Sequence, residues 1–142
     1  MIYEDRVQSF IEKKAKKTQG EVFHPKEIDT SILQTIAYKY PQRKINIELN
    51  TDEFTCLCPF SDLPDFARLT LNYIPRKKLI ELKSFKYYLG AYRNVKTYNE
   101  HAANKILEDL VKSVNPYEMT IVMEFTVRGG TKNKVTASYK SK

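Results

Sequence analysis

Two stretches of strict two-residue alternation stand on either side of a helical middle, and that order leaves the chain few ways to fold. Ahead of the middle, Ile45, Ile47 and Leu49 alternate with Asn46, Glu48 and Asn50 as far as about Phe54. From Phe66 to Ile74, Leu69, Leu71 and Tyr73 alternate with Arg68, Thr70 and Asn72. Each is the pattern of a strand with one face buried. After the middle, Met119, Ile121, Met123, Phe125 and Val127 alternate through Tyr117–Arg128. Gly129-Gly130 then turns the chain into a polar last strand over about Lys132–Tyr139. Within the middle, Pro75-Arg76-Lys77-Lys78 closes the second strand as a turn, and Ser84 is placed to N-cap a helix over Phe85–Tyr92. A second helix starts at Tyr98 or Asn99 and carries the apolar stripe Ala103, Ile106, Leu107, Leu110, Val111 and Val114 before Asn115-Pro116 ends it. Strand, strand, helix, helix, strand, strand predicts an α+β unit: a four-stranded antiparallel sheet with two helices on one face. Its other face and its edges need cover, which self-association supplies.

Residues 42–142 form that unit, and residues 1–41 read as an N-terminal extension with short helices. Val7, Phe10 and Ile11 predict a short amphipathic helix with Lys13 to Lys17 near its C-terminal end; His24-Pro25 breaks the pattern, and Ser31–Tyr40 reads as a turn of helix stopped by Pro41. The length, 142 residues, suits one domain. No stretch approaches the roughly 18–20 apolar residues that span a bilayer, and the opening segment is charged rather than signal-like, so no membrane and a cytoplasmic location are expected. Cys56 and Cys58 are separated by one residue, a spacing that on an extended backbone leaves their Cβ atoms too far apart for an easy disulfide, and reduced thiols are expected. The net charge of +7 attracts phosphate-bearing ligands, nucleic acid or an anionic surface without choosing among them.

The segment Thr55 to Asp65 reads as a long loop holding both cysteines, Asp62 and Asp65. A cysteine there suits a nucleophile whose carboxyl partner moves protons. Such a cysteine is more often a small buried side chain, and Asp65 after Pro64 more often a turn residue or N-cap. Zinc needs three or four ligands at fitting spacings, and with only His24 and His101 besides the two cysteines no metal site is expected. Lys83 and Lys86 lie at a strand-to-helix junction whose exposed N–H groups suit a phosphate; the same residues suit a solvated face over inward Phe85, Tyr88 and Leu89. Arg128-Gly129-Gly130 is either a turn or a place where a ligand meets the backbone. Glu100 in the first turn of the second helix complements the helix dipole, or accepts two hydrogen bonds from a guanidine-like base edge.

Three segments together resemble one family. Glu81-Leu82-Lys83-Ser84-Phe85-Lys86-Tyr87-Tyr88 meets every position of a signature found in the short, single-module form of the QueF family, the NADPH-dependent 7-cyano-7-deazaguanine reductases of the queuosine pathway. Leu57-Cys58-Pro59 with Pro64-Asp65-Phe66-Ala67 matches the family's cysteine loop, and Phe125-Thr126-Val127-Arg128-Gly129-Gly130 matches a third segment. The resemblance covers residues 42–130.

It implies a tunnelling fold (T-fold), in which such units assemble into intersubunit barrels, here a decamer of two pentamers with active sites between subunits. It implies that Cys58 rather than Cys56 attacks the nitrile carbon of a small-molecule 7-deazaguanine nitrile, that Asp65 protonates the nitrile nitrogen, and that the thioimide is reduced in two successive steps at the expense of NADPH. Ile80, Glu81, Leu82, Asn99 and Glu100 then bind substrate, with Glu100 gripping the base; Lys83, Ser84, Lys86, Arg128 and Gly129 bind the cofactor. One position departs: many members have His-Glu where this chain has Asn99-Glu100, and Asn hydrogen-bonds without acting as acid or base. His101, about 200° further round a helix, does not simply replace it. Two other functions compete. The QueF-like amidinotransferase uses the same cysteine attack on a nitrile within tRNA, and a basic RNA-binding module would use surface Lys and Tyr for phosphate contact and stacking.

Overall fold

The computed structural model describes residues 28–142, so the helix expected at Val7–Ile11 and the break at His24-Pro25 lie outside the described residues. Six strands and two helices follow. They are β1 (Thr35–Ala37), β2 (Ile47–Leu57), β3 (Pro64–Ile74), β4 (Lys78–Ile80), α1 (Leu82–Gly90), α2 (Asn99–Val114), β5 (Glu118–Arg128) and β6 (Thr131–Lys140). β2, β3, β5 and β6 form one antiparallel sheet in the order β2-β3-β5-β6, and β1 pairs antiparallel with β4 in a second, two-stranded sheet.

The alternation does what it predicts in the centre of the sheet. Ala67, Leu69, Leu71 and Tyr73 of β3 and Met119, Ile121, Met123 and Phe125 of β5 are buried together with Phe85, Tyr88 and Leu89 of α1 and Ala103, Ile106 and Leu110 of α2. Each fully buried aliphatic side chain contributes about 1.5–3 kcal/mol relative to exposure. The opposite phase, with Arg68 and Glu124, is exposed, so both helices lie on one face. One charge enters this core. Asp109 of α2 is 4% exposed and is held by Lys105 Nζ at 2.6 Å and by the Tyr88 hydroxyl, which donates to it at 2.5 Å and lies 3.1 Å from the Tyr92 hydroxyl.

Both outer strand pairs carry an irregularity. Between Thr51↔Leu69 and Phe54↔Ala67, β2 holds one residue more than β3; between Phe125↔Asn133 and Arg128↔Thr131, β5 holds one more than β6. An extra residue reverses the side-chain phase beyond it. In β2 the half-buried phase of Ile47, Leu49 and Thr51 therefore passes to the buried Phe54 and Cys56, and so towards Cys58. Gly129 and Gly130 turn β5 into β6 with φ of +58° and +77°, a two-residue turn that glycine adopts without strain.

Four local expectations change. Ser31–Tyr40 is not helical: Asp29 caps a single 3-10 turn, Thr30–Ile32, and β1 follows because β4 offers it a hydrogen-bonding edge. β2 runs to Leu57 and β3 starts at Pro64, so Cys56 and Asp65 are paired strand residues and the loop is only 58–63. α1 is capped by Glu81 rather than Ser84, its carboxylate accepting from the N–H groups of Lys83 at 2.9 Å and Ser84 at 2.7 Å. Ser84 instead accepts the Gln34 N–H at 2.9 Å through its hydroxyl, which fastens the segment before β1 to the helix. α1 also stops at Gly90, leaving Tyr92 in a 3-10 turn, Ala91–Asn94. The second helix starts and ends as predicted, closing on left-handed Asn115.

Candidate active site

Cys58 emerges where β2 ends, on a loop closed by its own backbone. Its N–H donates to Leu63 O at 2.8 Å and its carbonyl accepts from the Asp62 N–H at 2.9 Å, with Asp62 in the left-handed region at φ 61°. The base of this loop is clamped by the stretch ahead of α2. Leu57 donates to Val95 O at 2.9 Å and accepts from Thr97 N–H at 3.1 Å, while Lys96 Nζ lies 3.1 Å from Asp62. The Phe60 and Tyr98 rings, 6.1 Å apart, continue the contact to the first turn of α2. Thus the chain that carries Asn99 and Glu100 is anchored beside the cysteine loop.

The two thiols differ in kind. Cys56 is fully buried, and burial, reinforced by the negative charges of Asp65 and Cys58, pushes its thiol up to about 12; it stays protonated and inert. Cys58 is half-buried and reaches solvent. Asp65 faces Cys56 across the β2–β3 ladder, its side chain 16% exposed. Burial raises its pKa, and the Arg128 guanidinium at 2.9 Å opposes the rise. Arg128 also donates to the Pro64 carbonyl at 2.9 Å. Regular alternation from the buried Phe125 would put Arg128 on the outer face of β5, away from Asp65; the extra residue in β5 aims it at the carboxyl.

Glu100 is exposed at the start of α2, and its Oε1 accepts from the Asn133 amide at 3.2 Å. Asn99 is half-buried, and exposed His101 packs edge-on against Tyr98, 5.6 Å between ring centres. Asn133 and the Val95–Thr97 clamp are the contributors that sequence patterns do not single out. The signal for Asn133 is slight: it is an amide in the inward phase of β6, where Val135, Ala137 and Tyr139 pack on the core.

Ile80–Lys86 do not join this cluster. The buried Ile80 donates its N–H to the Tyr73 hydroxyl at 3.1 Å, and Tyr73 is eight residues along β3 from Asp65. At about 3.3 Å per residue the two ends are roughly 26 Å apart. Glu81, Leu82, Lys83 and Ser84 therefore sit at the far end of the sheet from Cys58. The Lys83 and Ser84 amides are already taken by Glu81, so phosphate donors on this side are the exposed lysine side chains. Between α1 and the β2 edge lies a groove of about 970 Å³, with Lys86 and Arg93 as cations and Leu82, Phe85 and Tyr87 as apolar wall. Such a donor set fits an anionic dinucleotide. Among the described residues no three His, Cys, Asp or Glu side chains gather so as to hold a metal ion.

Comparison with known proteins identifies the family. A family model described as QueF-like protein matches residues 64–142. The NADPH-dependent 7-cyano-7-deazaguanine reductase of Caldicellulosiruptor bescii is 47% identical over 126 residues, covering 89% of this chain and 96% of that protein. A protein of the same name from Caldanaerobacter subterraneus subsp. tengcongensis is also 47% identical, over 89% of this chain and 94% of its own length. Among solved structures, the apo form of the archaeosine synthase QueF-Like superposes with a TM-score of 0.61 over 69% of this chain and 94% of its own, at 22% identity, a likeness of fold. The family model and these sequence relatives together show that the chain belongs to the QueF family.

Proposed function

We propose that the chain is an NADPH-dependent nitrile reductase that converts 7-cyano-7-deazaguanine to 7-aminomethyl-7-deazaguanine through a cysteine thioimide. The observation that carries this is that one end of the sheet holds both a solvent-reaching thiol, half-buried Cys58 at the end of β2, and a desolvated carboxyl, Asp65 at the start of the neighbouring β3, with its raised pKa. The Cys58 thiolate forms a C–S bond to the nitrile carbon. The displaced C≡N π pair moves to nitrogen, which takes the proton of Asp65. The carboxylate so formed is stabilised by Arg128, 2.9 Å away. Bound NADPH supplies hydride for both reductions. Glu100 accepts from the donor edge of the base, and Asn99 hydrogen-bonds there without moving a proton.

Ile80, Glu81 and Leu82 line the other wall, and Lys83, Lys86, Arg128 and Gly129 hold the cofactor, while Ser84, its amide and hydroxyl engaged by Glu81 and Gln34, fixes the start of α1 beneath them. Because Ile80–Lys86 lie at the far end of their own sheet, one site takes them from a neighbouring subunit. That requirement, with the edges of β2 and β6, which pair with no further strand among the described residues, supports self-association into intersubunit barrels, a decamer of two pentamers acting in the cytoplasm. A site closed between subunits also shields a water-labile imine.

The test mixes protein with 7-cyano-7-deazaguanine, follows nicotinamide absorbance with NADPH present, and measures intact mass without it. Two NADPH oxidised per nitrile, and an adduct that is lost in Cys58→Ala, are expected. An adduct without oxidation would replace reduction by the amidinotransferase reaction, and neither signal would leave the basic RNA-binding module.

A further inference from the structure

We propose that Asn133 is a positioning residue for substrate: its side-chain amide fixes the Glu100 carboxylate so that two oxygen lone pairs face the donor edge of the 2-amino-4-oxo base. This rests on the reading of Glu100 as the base-gripping carboxylate. Glu100 projects from the first turn of α2 into solvent, where a carboxylate on a flexible stem samples several rotamers. Its Oε1 accepts from Asn133 Nδ2 at 3.2 Å, and the donor stands on a strand rather than on the helix itself. The Asn104 amide, 2.9 Å away, reaches only the Glu100 backbone carbonyl.

The place of Asn133 in β6 is what marks it. Val135, Ala137 and Tyr139 share its phase and pack against the core, and at the first half-buried position of that phase β6 carries an amide instead of an apolar group. Asn133 is also the last regular partner of Phe125 before the extra residue in β5 that turns Arg128 towards Asp65. One hairpin thus holds both carboxylates: Arg128 on β5 pairs with the proton donor, and Asn133 on β6 with the base-gripping group. A neutral amide is the fitting donor. It orients the carboxylate and leaves its charge uncompensated, whereas Lys or Arg there would compete with the base for it.

Affinity for 7-cyano-7-deazaguanine is measured in a Cys58→Ala background, where no adduct forms, and kcat and KM in the otherwise unaltered enzyme. Asn133→Leu is expected to weaken nitrile binding and raise its KM by about tenfold, the loss of one hydrogen bond to a charged group. NADPH KM and kcat stay near their original values, and Asn133→Gln recovers part of the affinity. In a Glu100→Gln background, Asn133→Leu adds little, because it acts through Glu100. Full affinity in Asn133→Leu while Glu100→Gln still weakens binding overturns the positioning role alone. Full affinity in Glu100→Gln overturns the base-gripping reading and this inference with it. Equal losses for Asn133→Leu with and without Glu100 mean that Asn133 acts elsewhere and also refute the proposal.

Discussion

Replacing Arg128 with Met removes the positive charge 2.9 Å from the Asp65 carboxyl while keeping an unbranched side chain of similar reach. The guanidinium is half exposed, so the attraction is taken near its aqueous limit, about 1.4 kcal/mol at this separation. That is about one pKa unit. The sign follows from which form the charge favours: Arg128 stabilises the carboxylate, so without it Asp65 holds its proton to higher pH. Thioimide formation without NADPH isolates the effect, since it needs the Cys58 thiolate and the Asp65 proton but no cofactor. Its rate against pH, read by quenched intact mass, should show the Asp65 limb displaced upward by about one unit in Arg128→Met, the displacement shrinking at high salt. A profile whose limbs both stay in place, or one displaced to lower pH, would show that Arg128 does not set the acidity of the proton donor.

Three further outcomes follow from the same contacts. Iodoacetamide at pH 8 should alkylate one thiol per folded chain, Cys58, because Cys56 is buried with its thiol pushed up to about 12, and Cys56→Ala should still form the adduct. Tyr88→Phe strips Asp109 of a hydroxyl donor and leaves the Tyr92 hydroxyl without its partner; the cost is about 1–3 kcal/mol, seen as a melting temperature lower by several degrees. Glu81 has a lowered pKa, first from its bond to the Ser84 N–H and then from that to Lys83, so its contribution is present above the unfolded carboxylate value and fades as pH falls through the folded one. Stability measured by denaturant across that acid window should flatten in Glu81→Gln.

The sheet and the second helix are legible in the sequence because their signals are local: alternation through β3 and β5, a stripe along α2, glycines in the hairpin. What is not legible depends on partners far along the chain. Thr35–Ala37 is too short to announce itself, and only the edge of Lys78–Ile80, some forty residues on, makes it a strand. Glu81 and Ser84 are both competent caps; the Gln34 N–H, claiming the Ser84 hydroxyl, decides between them. The signature Glu81–Tyr88 and the loop Leu57–Pro59 are readable as motifs. That they lie at opposite ends of one sheet follows only once Tyr73 is seen to hold Ile80.

The two extra residues link legibility to chemistry. Cys56 and Cys58 have even numbers, while the half-buried positions that open β2, at Ile47 and Leu49, are odd; the sequence therefore contains the change of phase, but not the place where it is absorbed. Pairing shows that place to be between Thr51 and Phe54, and the equivalent place in β5 to be between Phe125 and Arg128. A sheet without either would bury the same apolar core in its middle strands, since β3 needs no correction and β5 none before Phe125. It would turn Cys58 and Arg128 to the opposite face from Asp65. The irregularity in β5 leaves the core pattern intact, that in β2 also brings Phe54 and Cys56 into the core, and together they set which face the reactive residues share.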